Sequence, residues 1–192
     1  MLWGGFLGIY LGLVGGRLDD VLMRLVDALL SLPWILKMLL LIVTFGTGLA
    51  VLIPTLAFFY GIPVIRIARA AAHNVVARDF ILAARARGHA PGVIIRRELL
   101  PNVLDALMVE GAMRWSWMLL AFSSLSFLGF GVSPPTPDWG LMVADARSYL
   151  PIAPWAGLFP ILALSSLIIG INLAADALAK AVGVDRAQKA PI

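Results

Sequence analysis

Apolar positions along this chain gather into long, almost unbroken runs, with polar residues confined to short stretches between them. A helix needs about 20 mostly apolar residues to cross the hydrocarbon core of a bilayer, and four runs approach or reach that length: residues 29–45, 49–70, 103–128 and 156–179. Lys37 interrupts the first of these, and Gly46-Thr47-Gly48 leaves a tight turn before the second. A further apolar run opens the chain, residues 1–16, with Gly4, Gly8, Gly12 and Gly16 recurring every fourth residue. That spacing lays one smooth ridge along a helix, where a neighbouring backbone can approach closely. No basic residue precedes Arg17 and no cleavage site follows, so the run reads as a span and not as a secretory signal. The pattern predicts an all-α, polytopic membrane helix bundle forming a single domain over residues 1–192, with about five spans. The opening run is short for a span, as though its beginning were missing.

Composition agrees with this reading. The chain is 61% hydrophobic and 14% charged, with a mean hydropathy of +0.94, far from the roughly 25% charged content of soluble domains. The net charge of +4 does not call for nucleic acid, because the basic residues fall between spans. Arg17, Arg24 and Lys37 flank the first loop; Arg66, Arg69, Arg78, Arg85, Arg87, Arg96 and Arg97 fill the loop at about 71–102 and its approach; Lys180, Arg186 and Lys189 follow the last span. By the positive-inside rule these mark the cytoplasmic side. The opposite side then holds residues 46–48 and a loop at about 129–155. An odd number of spans places the N-terminus outside, an arrangement unusual enough to suggest that one N-terminal span is absent. There is no cysteine, hence no disulfide framework and no thiolate chemistry.

The 71–102 loop carries the densest chemistry. Asp79 can cap a helix running through Ala83 and Ala84 to Arg87, Gly88 can end it in a left-handed conformation, and Pro91 suits the first turn of a second helix. Val93, Ile94 and Ile95 beside Arg96 and Arg97 make that second helix amphipathic, and Pro101 marks the start of the next span. Such an elbow fits a groove on a cytoplasmic partner; a surface helix held by anionic lipid is the competing reading.

Ala83-Ala84-x-x-x-Gly88, followed by twelve residues to Pro101 in Leu-Leu-Pro-Asn, resembles the EAA loop of bacterial ABC-importer permeases. The segment from Ser126 to Gly140, with Pro134, Pro135, Pro137, Asp138 and Trp139, resembles the di- and oligopeptide/nickel branch of those permeases, specifically the C-type subunit. Asp20, Met23, Arg24 and Asp27, together with Asn172-Leu-Ala-Ala-Asp176, extend the resemblance over nearly the whole chain. Leu82 stands where the EAA pattern has a glutamate, and the chain begins at what would be the family's second span.

The resemblance implies a type I ABC-importer transmembrane domain in the bacterial inner membrane. It also implies a second homologous permease subunit, two ATPase subunits that use ATP and Mg, and an extracytoplasmic substrate-binding protein. The ATPase-coupling residues would be Ala83, Ala84, Arg85, Gly88, Pro91, Arg96, Arg97 and Pro101. Peptide is the expected cargo; nickel or another small solute, or an inactive truncated or scaffold subunit, are the alternatives. No G-x-x-x-x-G-K-[ST] loop occurs, so the chain lacks a phosphate-cradling lysine and ATP hydrolysis belongs to another subunit.

Within the span after the elbow, Glu110 and Arg114 stand four apart in the favourable order for a helical pair, and ionisable groups at membrane depth face a bundle interior or a watery cavity. They and Ser123 are candidates to line a path; a structural pair at the interface is the plainer alternative, and serines in spans chiefly serve packing. Pro134, Pro135, Asp138 and Trp139 would stiffen the outer loop to receive a binding protein, or simply build that loop. An intramembrane hydrolase is the rival from another class. His73 and His89 lie in the cytoplasmic loop, away from the span serines, and no H-E-x-x-H motif or paired aspartates occur in a span, so neither catalytic residues nor a metal site are expected.

Overall fold

In the computed structural model, residues 1–182 are described, and among them all regular structure is helical. The order is α1 (Leu2–Val14), α2 (Gly16–Ser31), α3 (Trp34–Phe45), α4 (Leu49–Val76), α5 (Asp79–Ala86), α6 (Pro91–Ile94), α7 (Leu100–Phe127), α8 (Trp139–Ala146) and α9 (Trp155–Val182). A π-helical turn, Ile95–Leu99, joins α6 to α7, and a 3₁₀ turn, Arg147–Tyr149, follows α8. Arg186 and Lys189 lie outside the described residues.

By length and apolarity α4 and α9 are each able to cross a membrane, and α2 with α3, bent by 87° at the break between them, has the composition of either one broken span or a re-entrant loop. Helix α1 is apolar but has only 13 residues. Helix α7 is 28 residues long and carries Asp105, Glu110 and Arg114 along its length.

Three sequence-based boundaries change. The run at 29–45 is not one helix: Leu32 is extended at φ −76, ψ 134, because Pro33 disfavours the helical conformation of the residue before it and has no N–H to donate. Residues 17–28, read as loop, form most of α2, an amphipathic helix whose apolar positions were too interleaved with charge to register as a span. The loop at 71–102 is largely helical, since α4 runs on to Val76 and α6 continues through the π turn into α7 without a break.

The chain resolves into two compact units. The first comprises Met1–Pro33, Phe58–Gly111 and the chain from Ala177; the second comprises Trp34–Ala57 and Ala112–Asp176. In the first unit the glycine ridge does what its spacing predicts at three of four positions. A Cβ on Gly4 would collide with the Gly61 carbonyl, one on Gly8 with the Ile65 carbonyl, and one on Gly12 would lie 2.8 Å from the Ala72 Cβ and 2.9 Å from the Arg69 carbonyl. Helices α1 and α4 therefore meet backbone to backbone. Gly16 leaves the ridge: it stands at φ 72 at the start of α2, where an added Cβ would meet nothing within 4 Å. Trp3 stacks on Phe58 at 5.3 Å and covers Gly61, so it packs within this unit, although it remains 37% exposed.

In the second unit the outer segment contains α8, which the proline and glycine content concealed. Asp138 caps it, accepting from the Leu141 amide at 2.9 Å, which satisfies one of the donors a helix leaves unpaired at its N-terminus. Gly140 lies against the Ser123 carbonyl so closely that a Cβ would not fit. The Pro134–Pro135 bond is cis.

Candidate functional site

The elbow is built from α5 and α6, with Gly88 between them. Helix α5 starts after Arg78, whose extended backbone (φ −83, ψ 148) makes it the capping position, while Asp79 lies inside the first turn. The expected cap is thus displaced by one residue, and the Asp79 carboxylate acts on the helix dipole instead. At the other end Gly88 has φ 75. Its N–H reaches the Arg85 carbonyl at 2.9 Å, and the His89 N–H reaches the Ala84 carbonyl at 3.2 Å, the two bonds of a Schellman ending. A left-handed residue is obligatory there, and only glycine adopts it without a Cβ penalty.

Pro91 occupies the first turn of α6. The π turn that follows has its cause at Pro101, which cannot donate to a carbonyl one turn back and whose ring would crowd that carbonyl in a regular helix. The chain widens instead, with the Leu100 N–H reaching the Ile95 carbonyl. Asn102 Nδ2 donates to the Glu98 carbonyl at 2.7 Å on the same stretch. Pro101 is thus an internal residue of one continuous helix and not a boundary.

One face of the elbow is core. Ile81 and Ala84 of α5, Ile94 of α6 and Leu99 of the π turn pack with Ile9 and Leu13 of α1, Ala68, Ala72 and Val75 of α4, and Val103 of α7. Burying an isoleucine such as Ile81 contributes roughly 1.5–3 kcal/mol outside hydrocarbon, enough to hold a two-turn helix that would not persist alone. Ala84 therefore cannot touch a partner. Of the other expected coupling residues, Ala83, Arg85, Gly88, Pro91, Arg96, Arg97 and Pro101 are exposed. Phe80 (36%), Leu82 (56%) and Val93 (36%) are exposed as well. Leu82 thus sits in the open, where a charged residue would be equally tolerated by the fold.

The path candidates fall in both units. Glu110 and Arg114 are both half-buried on α7, Glu110 in the first unit and Arg114 in the second. Ser123 is buried and lines a groove of about 380 Å³ with Trp139, Gly140, Leu164 and Ser165, which brings it together with one of the outer-segment candidates. Pro134 and Pro135 precede α8 and are not among that lining. Ser116 donates to Asn172 Oδ1 at 3.0 Å, and Ser124 to the Leu120 carbonyl at 2.7 Å, the packing roles that serines in apolar helices favour. His73 and His89 belong to the first unit and these serines to the second. Among the described residues no group of His, Cys, Asp or Glu could hold a metal ion.

Sequence reasoning missed one charged cluster altogether. Asp19 of α2 accepts from both Nε and Nη2 of Arg69 on α4, and Asp27 lies 3.6 Å from Arg66. The apolar spacing of Leu18, Leu22, Val26 and Leu30 was the signal for α2, and with it for an acidic face turned toward α4.

Residues 4–184 match the profile described as binding-protein-dependent transport system inner membrane component. The chain is 31% identical over 183 residues to a dipeptide transport system permease of Alkalihalophilus pseudofirmus, covering 95% of this chain and 60% of that protein. It is 33% identical over 182 residues to a glutathione transport system permease of Pectobacterium atrosepticum (95% and 60%), and 35% identical over 179 residues to a di/tripeptide transport system permease of Pseudomonas aeruginosa (91% and 59%). The chain spans about 60% of the length of these relatives. On this match it belongs to the family of inner membrane components of binding-protein-dependent transport systems.

Proposed function

We propose that the chain is a membrane-spanning permease subunit of an ATP-driven importer of peptides in the bacterial inner membrane. It would form half of a translocation path with a second, homologous permease subunit and take cargo from an extracytoplasmic binding protein. Two separate ATPase subunits, using ATP and Mg, would drive it through the elbow at residues 79–101. The observation that carries the reading is the elbow itself. Its inner face is locked into a core with α1, α4 and α7, while Phe80, Leu82, Val93, Arg85, Arg87, Arg96 and Arg97 are exposed. A rigidly seated, solvent-facing bend of this kind suits a groove on another protein, and the dipeptide and glutathione permeases among the relatives point to peptide as cargo.

The test is Gly88→Val in the assembled importer. A β-branched side chain at φ 75 opposes the left-handed conformation by roughly 1–2 kcal/mol and re-aims α6 against α5. Peptide uptake is expected to fall at least about tenfold, the size of effect that a small misplacement far from the chemistry can produce, while the subunit stays in the membrane. Uptake at the parent rate would remove the elbow from the mechanism.

A further inference from the structure

The joint between α1 and α2 consists of two glycines with positive φ. Gly15 lies at φ 61, ψ −158, a region essentially reserved for residues without a Cβ, and Gly16 lies at φ 72. A Cβ on either would meet nothing within 4 Å, so these glycines serve backbone freedom and not close approach, unlike Gly4, Gly8 and Gly12. Left alone, such a joint would bend.

Three side chains hold it from both sides. On the α1 side, Arg85 of the elbow donates Nη2 to the Leu13 carbonyl at 3.0 Å. The last carbonyls of an α-helix lack partners within the helix, and a cation there also meets the negative end of its dipole. On the α2 side, Asp19 accepts two bonds from the Arg69 guanidinium. The Asp19 side chain is 7% exposed and that of Arg69 36%, so a carboxylate withdrawn from water is balanced by one two-pronged partner. Removing either member would leave the other charge uncompensated. The neighbouring Arg66–Asp27 pair is 56% and 58% exposed and adds little. Arg69 stands on α4 at the level where Gly12 touches its carbonyl, so the α2 attachment and the α1–α4 contact share one turn of α4.

We propose that Arg85, Arg69 and Asp19 are positioning residues that lock the Gly15–Gly16 joint, so that a displacement of the α5–α6 elbow is passed on to α2 instead of being absorbed at the joint. This rests on the elbow being the surface that the ATPase moves.

The experiment uses the complete importer in vesicles, with its ATPases and binding protein, and spin labels at exposed Ala83 on α5 and Leu25 on α2. In the parent, the label-to-label distance is expected to keep one narrow distribution in the nucleotide-free and nucleotide-trapped states. Asp19→Asn should broaden it and lower uptake at least about tenfold, as expected from breaking a buried charge pair, with ATP hydrolysis continuing. Exchanging the charges, Asp19→Arg with Arg69→Asp, should recover part of the uptake that either single change loses. Should Asp19→Asn fail to reach the membrane, Arg69→Lys keeps the charge, loses one prong, and is expected to give a partial loss with a broadened distribution. Parent-like coupling and a narrow distribution in Arg69→Lys, or no recovery in the exchanged pair, would overturn the proposal. Failure of the underlying reading looks different: Gly88→Val would then keep the parent's rate of ATP-dependent uptake, whatever the Asp19 and Arg69 variants do.

Discussion

Helices α4 and α9 are equal in length, 28 residues each, and both are apolar enough to cross a membrane, yet their surroundings differ. In α4, 39% of the most apolar 18-residue stretch is buried, against 11% in α9. The cause lies in their neighbours and not in their own hydropathy. Helix α4 receives the glycine ridge of α1, whose lack of side chains brings two backbones together, and its later turns are covered by Ile81 and Ala84 of the elbow. Helix α9 presents Phe159 (67%), Leu162 (52%), Ile169 (58%) and Leu173 (64%) to its surroundings. Water does not drive apolar helices together inside a bilayer, so close fit decides which of them pack. One helix is therefore a fixed strut, while the other keeps an apolar surface that the described residues leave exposed.

The largest effect should come from breaking the fit on α4. Gly12→Leu places a side chain where even a Cβ would lie 2.8 Å from that of Ala72 and 2.9 Å from the Arg69 carbonyl. Both neighbours are backbone or nearly so and cannot swing away, so α1 and α4 must part, at a cost of about 3 kcal/mol by analogy with overpacked cores. Thermal unfolding of the purified subunit in detergent checks this, and an unchanged midpoint would mean that α1 does not anchor α4. The same substitution at Gly16, which meets nothing within 4 Å, should act through backbone strain alone and not through separation of the helices.

That contrast between Gly12 and Gly16 also marks how far the sequence could be read. A four-residue glycine spacing announces a ridge, but it cannot say where the helix stops, and α1 stops at Val14. Long apolar runs revealed α4, α7 and α9, because in those stretches apolarity persists over the length of a span. Helices α2 and α8 were hidden for the opposite reason: each is held by polar contacts, Asp19 with Arg69 and the Asp138 cap, whose partners lie far away in sequence or look like loop chemistry. The elbow was legible at Gly88 and Pro91, where backbone conformation is dictated by residue type. Which of its residues face outward was not, and Ala84 proved to be core. The π turn before Pro101 follows from a rule about proline but needed the continuous helix on both sides to become necessary.

An intermediate effect is expected in the second unit, where α8 borders a groove with α9 lined by Trp139, Val143, Pro160 and Leu164. Asp138→Ala removes the acceptor for the Leu141 amide and should cost about 1 kcal/mol of local stability. Hydrogen exchange at Leu141 and Met142 should accelerate roughly fivefold, the conversion of that free energy. Exchange at the parent rate would show that packing of Gly140 on Ser123, and not the cap, holds the start of α8.

The smallest effect belongs to the open face of α9. Phe159 is 67% exposed, so Phe159→Ala removes few contacts within this chain and should change the stability of the isolated subunit by no more than about 0.5 kcal/mol. Measured in the proposed pair of permease subunits, the same substitution separates two occupants of that face. Lipid replaces a lost ring with its own chains, leaving the unfolding midpoint of the pair where it was. A packed neighbour cannot, because a cavity remains on its side, and truncating a phenylalanine in a filled interface costs about 3–5 kcal/mol by the scale of protein cores. A fall in the midpoint of the pair, with none in the subunit alone, would make α9 a strut like α4, whose covering partner is another polypeptide.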